Sequence, residues 1–569
     1  MEKIIKFIKK KDLIYYIIIL VVAIIVSLPL LKISLLGTGD SRLHLLRILG
    51  LRNAIQSSNF PYIITPFYCN NFGYATNLFY PQLTTYLPYI LKVFTTSYEN
   101  AMELFTFLTI FLSGIFMYNF TKELSNNKVI SLISSIIYIT FPYRFECIYE
   151  RCAIGEFTAL VFLPILFQGL YNLINKDKSK HYLIAVGAAG LLLCHTITTV
   201  YAAIFCVIYI LFNAKKFFKK DILKLCFIDF IFIIMITALF TVPLLEHKFN
   251  TEYTIFDADS MHGLGIDVFD NSASFKQLFT DVGSDKTVSF IIGTPIIVYL
   301  ILGIWAYKKI DEDNKKWYNV FGLLGIISLF MVTKLFPWLI MPSVLTMIQF
   351  TWRILVFFNL FISPICGVNI YTILKNIKTK KFKFLFMGIC IIILVCYTGF
   401  RFKEYVQEKT ESGAKYTQYE ERMTNNKKIS HMSINREYLP IKSDYEYMAN
   451  REDIVYVLKG ECNISNEKKQ ALEMSFDFKD AENAELELPF IYYLGYEIKL
   501  NNEEVLKYSE SDVGFVKINI PQDTKEGSIT IKYTGTVLEK ASYIVSLLGL
   551  VLFIIYIIIY KRDKHERNN

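Results

Sequence analysis

The sequence has 10 cysteines in 569 residues, but no two of them stand at a spacing typical of metal ligands. At least six fall inside stretches that are apolar enough to cross a bilayer, namely Cys194, Cys206, Cys226, Cys366, Cys390 and Cys396. Cysteines scattered through apolar runs fit neither a zinc site nor a disulfide framework. The sequence therefore predicts neither kind of site.

We also expect no cleavable signal peptide. The chain begins with MEKIIKFIKKKD, a charged start like that of a signal peptide. The apolar run that follows is too long, however, and it has no small-residue cleavage site. We expect this run to remain as the first membrane anchor.

Apolar residues dominate the composition. Of all residues 53% are hydrophobic and 16% aromatic, and several apolar runs reach or approach the ~20 residues of a spanning helix. This predicts a polytopic α-helical membrane protein. The net charge of +9 is carried by lysines clustered between these runs, which is typical of positive-inside topology and not of nucleic-acid binding.

The lysine-rich segments predict the topology. They include the N terminus, 176–180, 215–220, 307–316, 375–383 and the tail after 560. Placing all of them in the cytoplasm makes both termini cytoplasmic and the number of crossings even. The apolar runs then predict about twelve spans, near 13–36, 100–120, 128–144, 156–174, 182–195, 197–213, 222–246, 287–306, 318–336, 353–373, 383–400 and 541–560.

Three outer segments are too long to be simple connections, at 37–98, 248–286 and 401–540. The last contains short alternating stretches such as VGFVKINIP and GSITIKYTG, which predict antiparallel strands. We therefore expect a transmembrane domain over 1–400, an extracytoplasmic β-sandwich-like domain over 401–540, and a last helix with a basic tail over 541–569. The polar start of the second domain, 401–430, favours a helix or linker.

The first outer segment contains GDSRLHLLRILGLRNAI, in which leucines recur at helical spacing. The simplest interpretation is an amphipathic helix on the membrane surface, capped by Asp40. Asp40, His44 and Arg47 are also spaced i, i+4, i+7, so the three side chains share one face. A carboxylate, an imidazole and a guanidinium together at the membrane surface suit a phosphorylated lipid and a general base.

Further ionisable residues are predicted at the same depth on the outer side. They are Arg144, Glu146, Glu150, Arg151, Glu156, His195, Glu246, His247 and Arg353. Each alone could form a structural ion pair or an interfacial anchor. Their shared side favours a functional site, because charges at the edge of the hydrocarbon are costly.

Several stretches together resemble the YfhO-like bacterial membrane proteins, also classed under a 6-pyruvoyl-tetrahydropterin synthase-related membrane domain, of the GT-C glycosyltransferase superfamily. They are GDSRLHLLRILGLRNAIQSSNFP, FGYATNLFYPQLTTYLPYIL, ERCAIGEFTALVFLPIL, a His after GLLLC, IQFTWRIL and LPFIYYLGYEIKLNN. The resemblance runs from about residue 10 to residue 560. It implies a GT-C-like membrane domain in the bacterial cell membrane.

The resemblance also implies a chemistry. GT-C enzymes place an essential acidic residue in the first outer loop, a position that Asp40 occupies here, and residues 77–94 would form a second juxtamembrane helix. Their donors are typically polyprenyl-phosphate sugars. The implied reaction is direct, inverting transfer to a cell-envelope polymer or glycolipid. The site it suggests has Asp40, Glu150 and Glu156 as catalytic carboxylates, and His44, Arg47, Arg151, His195 and Arg353 as substrate-binding residues.

Cofactors are less defined by the sequence. Seven scattered histidines do not form the zinc-binding triad of the soluble pterin enzyme, so we predict no pterin chemistry. Some GT-C members use a divalent cation such as Mg²⁺ or Mn²⁺ and others do not, which leaves Asp40 as the metal ligand if one binds. The first two outer loops have no Asp-x-Asp motif, and the DAD at 257–259 is a weak candidate.

Two other functions fit the sequence. A lipid or polysaccharide transporter or flippase would line a path with polar residues, but the charges gather on one side and not near the midplane. A non-catalytic scaffold in envelope assembly would use the β-domain to bind partners. The sequence identifies neither the donor sugar nor the acceptor.

Overall fold

The computed structural model describes residues 12–32, 35, 39–56, 63–66, 68–257, 259–260, 268–279, 291–341, 348, 350–411 and 436–568. Within these ranges the chain is mainly helical, with a single β-sheet near its C-terminal end. The predictions made for the first eleven residues and for 412–435 lie outside the described residues.

Seven helices among the described residues are long and apolar enough to cross a membrane, which confirms a polytopic helical membrane protein. They are Leu13–Leu31, Tyr98–Ser125, Ile154–Asn175, Lys220–Asn250, Thr351–Asn376, Lys380–Gln407 and Val537–Arg562. The other predicted spans correspond to helices that are shorter or more polar: Lys128–Ile139, Leu183–Leu192, Thr196–Phe212, Thr294–Ile301 and Glu312–Val332. A count of twelve spans is therefore not confirmed.

The remaining helical segments are short. Five α-helical pieces are Thr76–Phe79, Pro142–Phe145, Ala214–Phe217, Gly303–Ala306 and Tyr445–Asn450. A π-helical turn covers Glu146–Glu150. Single 3₁₀ turns are Leu28–Leu31, Lys92–Phe94, Lys178–Lys180, Thr254–Phe256, Lys276–Leu278, Tyr307–Lys309, Trp338–Ile340 and Thr351–Ile354.

Two helices form the centre of the bundle. The most apolar stretch of Ile154–Asn175 is 89% buried and that of Thr351–Asn376 is 94% buried. Small residues bring the neighbouring helices close to them: a Cβ on Gly187 would lie 2.5 Å from the backbone nitrogen of Leu166. Such small contacts are typical of helix packing inside membranes. The central helices thus have fixed positions, and the first of them begins beside the candidate site.

The first outer segment contains helix Ser41–Gln56, then Thr76–Phe79 and Leu83–Leu91. The second helix predicted over 77–94 is therefore broken. Tyr80 is extended, with φ −109° and ψ 120°. A proline disfavours helical backbone angles in the residue before it, and Pro81 follows Tyr80. The break frees the backbone carbonyls of Tyr80 and Pro81, and both accept hydrogen bonds from Arg47.

The C-terminal region contains seven strands. They are β1 Tyr456–Gln470, β2 Glu473–Ile491, β3 Tyr496–Leu500, β4 Glu504–Val505, β5 Tyr508–Glu510, β6 Phe515–Asn519 and β7 Gly527–Tyr533. They form one seven-stranded sheet in the order β4-β3-β7-β2-β6-β5, with β1 paired to β2. The predicted β domain is present, but it is a curled half-barrel of one antiparallel sheet and not a sandwich.

Strand β2 explains why a single sheet suffices. Its first part pairs with β7 and its second part with β6, while β1 covers its other edge. β2 is 19 residues long, and the register shifts in its pairing with β1 and β6 bend it around one core. Phe476, Leu486, Leu488 and Phe490 of this strand are all buried in that core.

The sheet holds the first outer segment directly. The backbone N–H of Ile491 donates to the carbonyl of Phe72 at 3.0 Å. The phenyl ring of Phe72 lies against Phe515, with Arg451 and Lys469 over its faces at 5.4 and 5.2 Å. The β-domain, which we define as residues 436–536, therefore positions the loop that leads to Tyr80.

Candidate active site

The loop before helix Ser41–Gln56 is fixed against the turn before the central helix. The backbone N–H of Asp40 donates to the carbonyl of Arg151 at 2.8 Å. A Cβ on Gly39 would lie 2.4 Å from that same carbonyl oxygen, so only glycine allows this approach. The contact brings the first outer segment next to the start of helix Ile154–Asn175.

The Asp40 side chain lies near Arg151 and Arg353, and we call the space next to these three side chains the recess. Asp40 is exposed to solvent, and no hydrogen bond to its carboxylate is found among the residues that the structure describes. Surrounding protein still raises its pKa through burial, while the positive charges of Arg151 and Arg353 oppose this and Glu156 adds to it. Asp40 is thus an accessible carboxylate flanked by two guanidinium groups.

Glu156 has the opposite surroundings. It is fully buried in the first turn of helix Ile154–Asn175. One carboxylate oxygen accepts from the Tyr143 hydroxyl at 2.5 Å, and the other lies 3.1 Å from Nη1 of Arg151 and 3.9 Å from Nε of Arg353. Arg151 also donates to the Tyr143 hydroxyl at 3.0 Å. Glu156 therefore orients the two arginines.

Aromatic rings line the arginine side of the recess. The guanidinium of Arg151 lies 5.7 Å from the ring of Trp352, and that of Arg353 lies 5.1 Å from Phe350. The two rings are stacked on each other with centroids 4.3 Å apart. Because planar guanidinium groups pack well on aromatic faces, these rings restrict where both cations can point.

His195 caps the helix Thr196–Phe212 and is neutral. Its Nδ1 lies 2.7 Å from the Thr198 hydroxyl and accepts the backbone N–H of Thr198 at 3.2 Å, and this backbone bond favours the tautomer with the ring proton on Nε2. Burial, together with the charge of Arg353, lowers the pKa of His195 to about 3. His195 therefore acts as a neutral hydrogen-bond donor at physiological pH.

Tyr80 connects His195 to the first outer helix. Its ring contacts those of His195 and His44, with centroids 6.3 and 5.2 Å away. Its hydroxyl accepts the backbone N–H of Gly155 at 3.1 Å. His44 is buried beside Arg47, and burial lowers its pKa well below the ordinary value. Both imidazoles are therefore uncharged.

Two of the residues singled out in the sequence have other positions: Arg47 contacts His44 and Tyr80 at the edge of this cluster, whereas Glu150 lies in the π-helical turn before it. The guanidinium of Arg47 is fully buried and donates to Asn77 and to the carbonyls of Tyr80 and Pro81 at 2.7, 3.0 and 2.9 Å. It thus joins the two juxtamembrane helices. Glu150 ends the π-helical turn and is not among the principal charges that act on Asp40 or Glu156.

The residues around Asp40 do not suit a divalent cation. The charged groups that act on Asp40 are the guanidinium groups of Arg151 and Arg353, which repel a metal ion, and the carboxylate of Glu156, which is already bonded to Tyr143 and Arg151. Among the described residues there is no group of three or more His, Cys, Asp or Glu side chains that could hold a metal. In the DAD segment, Asp257 accepts the backbone N–H of Ser260 at 2.8 Å and caps a turn; residue 258 lies outside the described ranges.

The structure therefore brings together Asp40, Arg151, Glu156, His195 and Arg353, with His44 beside them. Sequence reasoning missed Tyr143, Tyr80, Phe350 and Trp352. Tyr143 lies within the FPYRFECIYER stretch, but no sequence pattern distinguishes a hydroxyl that bridges an ion pair from a core tyrosine. The aromatic residues adjoining Arg353 were visible in IQFTWRIL, as a stretch that places rings next to a cation.

Comparisons with known proteins provide no identity. No protein-family model matches the chain, so the resemblance to YfhO-like proteins stays a prediction. An uncharacterized protein of Lactococcus lactis subsp. cremoris (strain MG1363) is 27% identical over 341 residues, which cover 58% of this chain and 55% of that protein. The chain thus matches about half the length of this curated relative.

The solved structures that match this chain include one with a distant similarity. It is the archaeal oligosaccharyltransferase AglB from Archaeoglobus fulgidus in complex with an inhibitory peptide and a dolichol-phosphate. The TM-score is 0.38 and the sequence identity 14%, over 73% of this chain and 58% of that one. A similarity of this size does not establish a shared activity, so function has to be argued from the site itself.

Proposed function

We propose that the protein is an integral membrane glycosyltransferase that transfers a sugar from a polyprenyl-phosphate donor to a hydroxyl group of a cell-envelope acceptor. One observation carries the proposal. An accessible carboxylate, Asp40, lies beside two arginines that a second, fully buried carboxylate, Glu156, holds in place. A base next to a fixed pair of cations suits the attack of a hydroxyl and the departure of a phosphate.

Each residue has its own role in the proposed reaction. Asp40 accepts the proton of the acceptor hydroxyl as its oxygen attacks the anomeric carbon. The bond between that carbon and the phosphate oxygen breaks on the opposite face, which inverts the configuration. The products are the glycosylated acceptor and polyprenyl phosphate, and Arg151 and Arg353 neutralise the phosphate as it leaves.

Glu156 and His195 have supporting roles in this proposal. Glu156 is buried, accepts hydrogen bonds from Tyr143 and Arg151 and lies 3.9 Å from Arg353, so it positions the cations instead of taking a proton. His195 is neutral with its proton on Nε2, which makes it a donor to a phosphate or sugar oxygen. Arg47 acts through the backbone of Tyr80 and Pro81 by fixing the recess wall.

The test compares the glycans of the cell envelope in a deletion strain that expresses wild type, Asp40→Asn or Asp512→Asn at matched protein levels. Asp512 is an exposed carboxylate in the β-domain and serves as the control. We expect Asp40→Asn to lose the sugar decoration that wild type and Asp512→Asn restore, with a rate lower by about 10²–10⁴-fold, the usual contribution of a general base.

Other outcomes separate the alternative functions. Unchanged glycans with Asp40→Asn, in a background where wild type is active, would remove Asp40 from catalysis. If the glycans are unchanged and the Asp40→Asn protein also retains lipid flux in vesicles, this would indicate a transporter. Loss of the phenotype only when the β-domain surface is altered would indicate a scaffold.

A further inference from the structure

Five large apolar side chains are exposed on two segments that meet beside the candidate active site. The segments are 271–279 and 333–341, and their backbones are joined: the N–H of Lys334 donates to the carbonyl of Ala273 at 2.9 Å, and the N–H of Ala273 donates to the carbonyl of Val332 at 3.0 Å. The five side chains are between 43% and 79% exposed. We call them the apolar edge, which consists of Phe275, Phe279, Leu335, Leu339 and Ile340.

The depth of the apolar edge follows from its contacts with Thr351. This residue is the first of the spanning helix Thr351–Asn376, and its hydroxyl oxygen lies 3.2 and 3.1 Å from the carbonyl oxygens of Asn271 and Val332. A helix of 26 residues is roughly 39 Å long, whereas the hydrocarbon core of a bilayer is about 30 Å thick. Thr351 therefore lies near the headgroups, and both segments lie at the same level.

We propose that the apolar edge inserts into the bilayer leaflet on the side of the candidate site, with membrane lipid as its occupant. The two segments that carry it contain two lysines and no acidic residue. One of these lysines, Lys334, is exposed beside Leu335. Exposed leucine, isoleucine and phenylalanine next to lysine are typical of surfaces in the headgroup region, where the ammonium group meets lipid phosphates.

A protein partner fits this position less well than lipid does. An exposed apolar patch on a protein in water usually marks an interface with another protein. The apolar edge, however, lies at the level of the headgroups, so a protein would first have to displace lipid from it. Lipid is already present there, and it removes the five side chains from water without any specific partner.

The apolar edge is connected to the arginine side of the recess. Thr351 lies between Phe350 and Trp352, whose rings are stacked with centroids 4.3 Å apart, and Arg353 follows them. The contacts of Thr351 with the two segments thus also hold the backbone that carries these side chains. Insertion places Arg353 at the level of lipid phosphates, where a lipid-linked donor reaches it without leaving the bilayer. This last step rests on the proposed function, whereas insertion does not.

Photocrosslinking of the full-length protein in phospholipid nanodiscs tests insertion. Benzoylphenylalanine replaces Leu339 or, in two matched controls, Val505 or Ile544. Val505 is an apolar side chain on β4, outside the spanning helices, and Ile544 lies on the spanning helix Val537–Arg562; both are 62% exposed. We expect a phospholipid adduct at Leu339 and at Ile544 but none at Val505. The mass of each adduct identifies what the side chain touches.

Leu339→Asp tests the connection to the recess. A carboxylate is costly at the edge of the hydrocarbon, so this variant should withdraw the segment from the bilayer and lower sugar decoration of the envelope by about tenfold or more. The decoration is measured in the deletion strain at matched protein levels. Val505→Asp is the matched control and should restore decoration as wild type does, because it places the same charge on the exposed β-domain.

Three crosslinking results would overturn insertion. They are an adduct with a protein at Leu339, a second copy of this chain included; no adduct at Leu339 where Ile544 gives one; and equal lipid adducts at Leu339 and Val505. Wild-type decoration with Leu339→Asp would overturn the connection to the recess. A lipid adduct at Leu339 together with unchanged glycans in Asp40→Asn would support insertion and show that only the proposed reaction is wrong.

Discussion

The two acidic side chains of the candidate site have opposite surroundings, and that difference assigns their roles. Asp40 is exposed and flanked by cations, while Glu156 is buried and bonded to Tyr143 and Arg151. Two carboxylates in one site can have different roles because their surroundings differ. The sequence marks both residues as candidates but contains no sign of this division, because it arises from packing between distant segments.

The pKa of Asp40 leads to a pH prediction. The protein packed around this exposed side chain desolvates the carboxylate and raises its pKa above 3.8, while Arg151 and Arg353 oppose the shift and Glu156 adds to it. A base with a raised pKa keeps its proton to a higher pH, so kcat/KM should fall as pH decreases, with a midpoint above 3.8. His195 should add no limb near 6.5, since its pKa is about 3.

The measurement is the initial rate of sugar transfer against pH for wild type and Asp512→Asn, which should share one profile. An acid limb at or below the ordinary carboxyl pKa would show that a different group is the base. Substitution of His195 by Asn should leave the position of the acid limb unchanged even if it lowers the rate.

At the scale of elements, helix contacts depend on where glycine permits close approach. Helix Val537–Asn568 packs against Lys220–Asn250, and a Cβ on Gly549 would lie 2.6 Å from Cβ of Met235. The Ser546 hydroxyl strengthens the contact by donating to the carbonyl of Met235 at 3.1 Å. This helix pair supports the C-terminal end of the β-domain.

Gly549→Leu should push these two helices apart. We expect a loss of about 1–3 kcal/mol in the free energy of unfolding, as is usual when a packed core is overfilled. Gly388→Leu is the matched control, since Gly388 also lies in a spanning helix but a Cβ there would meet no atom within 4 Å. Thermal unfolding in the same detergent compares the two, and equal unfolding temperatures would contradict the expected contact.

Sequence periodicity predicted most elements but not their interruptions. The alternation in VGFVKINIP and GSITIKYTG located strands β6 and β7. The helix predicted over 77–94 breaks because Pro81 acts on Tyr80, a local rule that was available. The single sheet could not be foreseen, because whether β2 bends within one sheet or divides two depends on long-range pairing.

On the scale of the whole molecule, the β-domain and the first outer segment form one unit. Cys69, Asn70 and Asn71 all adopt positive φ angles, of 55°, 55° and 67°, which non-glycine residues rarely do. Contacts with the β-domain compensate for this strain: the Asn70 amide donates to the carbonyl of Met448 at 3.1 Å. The sequence gives no indication that this loop contacts the β-domain.

Phe72→Ala tests this unit. Phe72 is fully buried against the β-domain, and its truncation should cost about 3–5 kcal/mol of stability. It should also lower activity, since the loop leads to the wall of the recess. Phe94→Ala is the control, because Phe94 follows in the same outer segment but is 76% exposed. Protease sensitivity and thermal unfolding measure the effect; matching curves for both variants would contradict the proposed coupling.

The bond between Phe72 and Ile491 also dictates an order of events during synthesis. Asp40 leaves the ribosome early, whereas the strand that fixes its neighbouring loop is translated near the end of the chain. Most of the membrane helices must therefore insert before the contact between Phe72 and Ile491 can form. A ribosome that stops before β2 would release a membrane-inserted protein that carries every side chain of the candidate site but lacks the strand that holds the Phe72 loop.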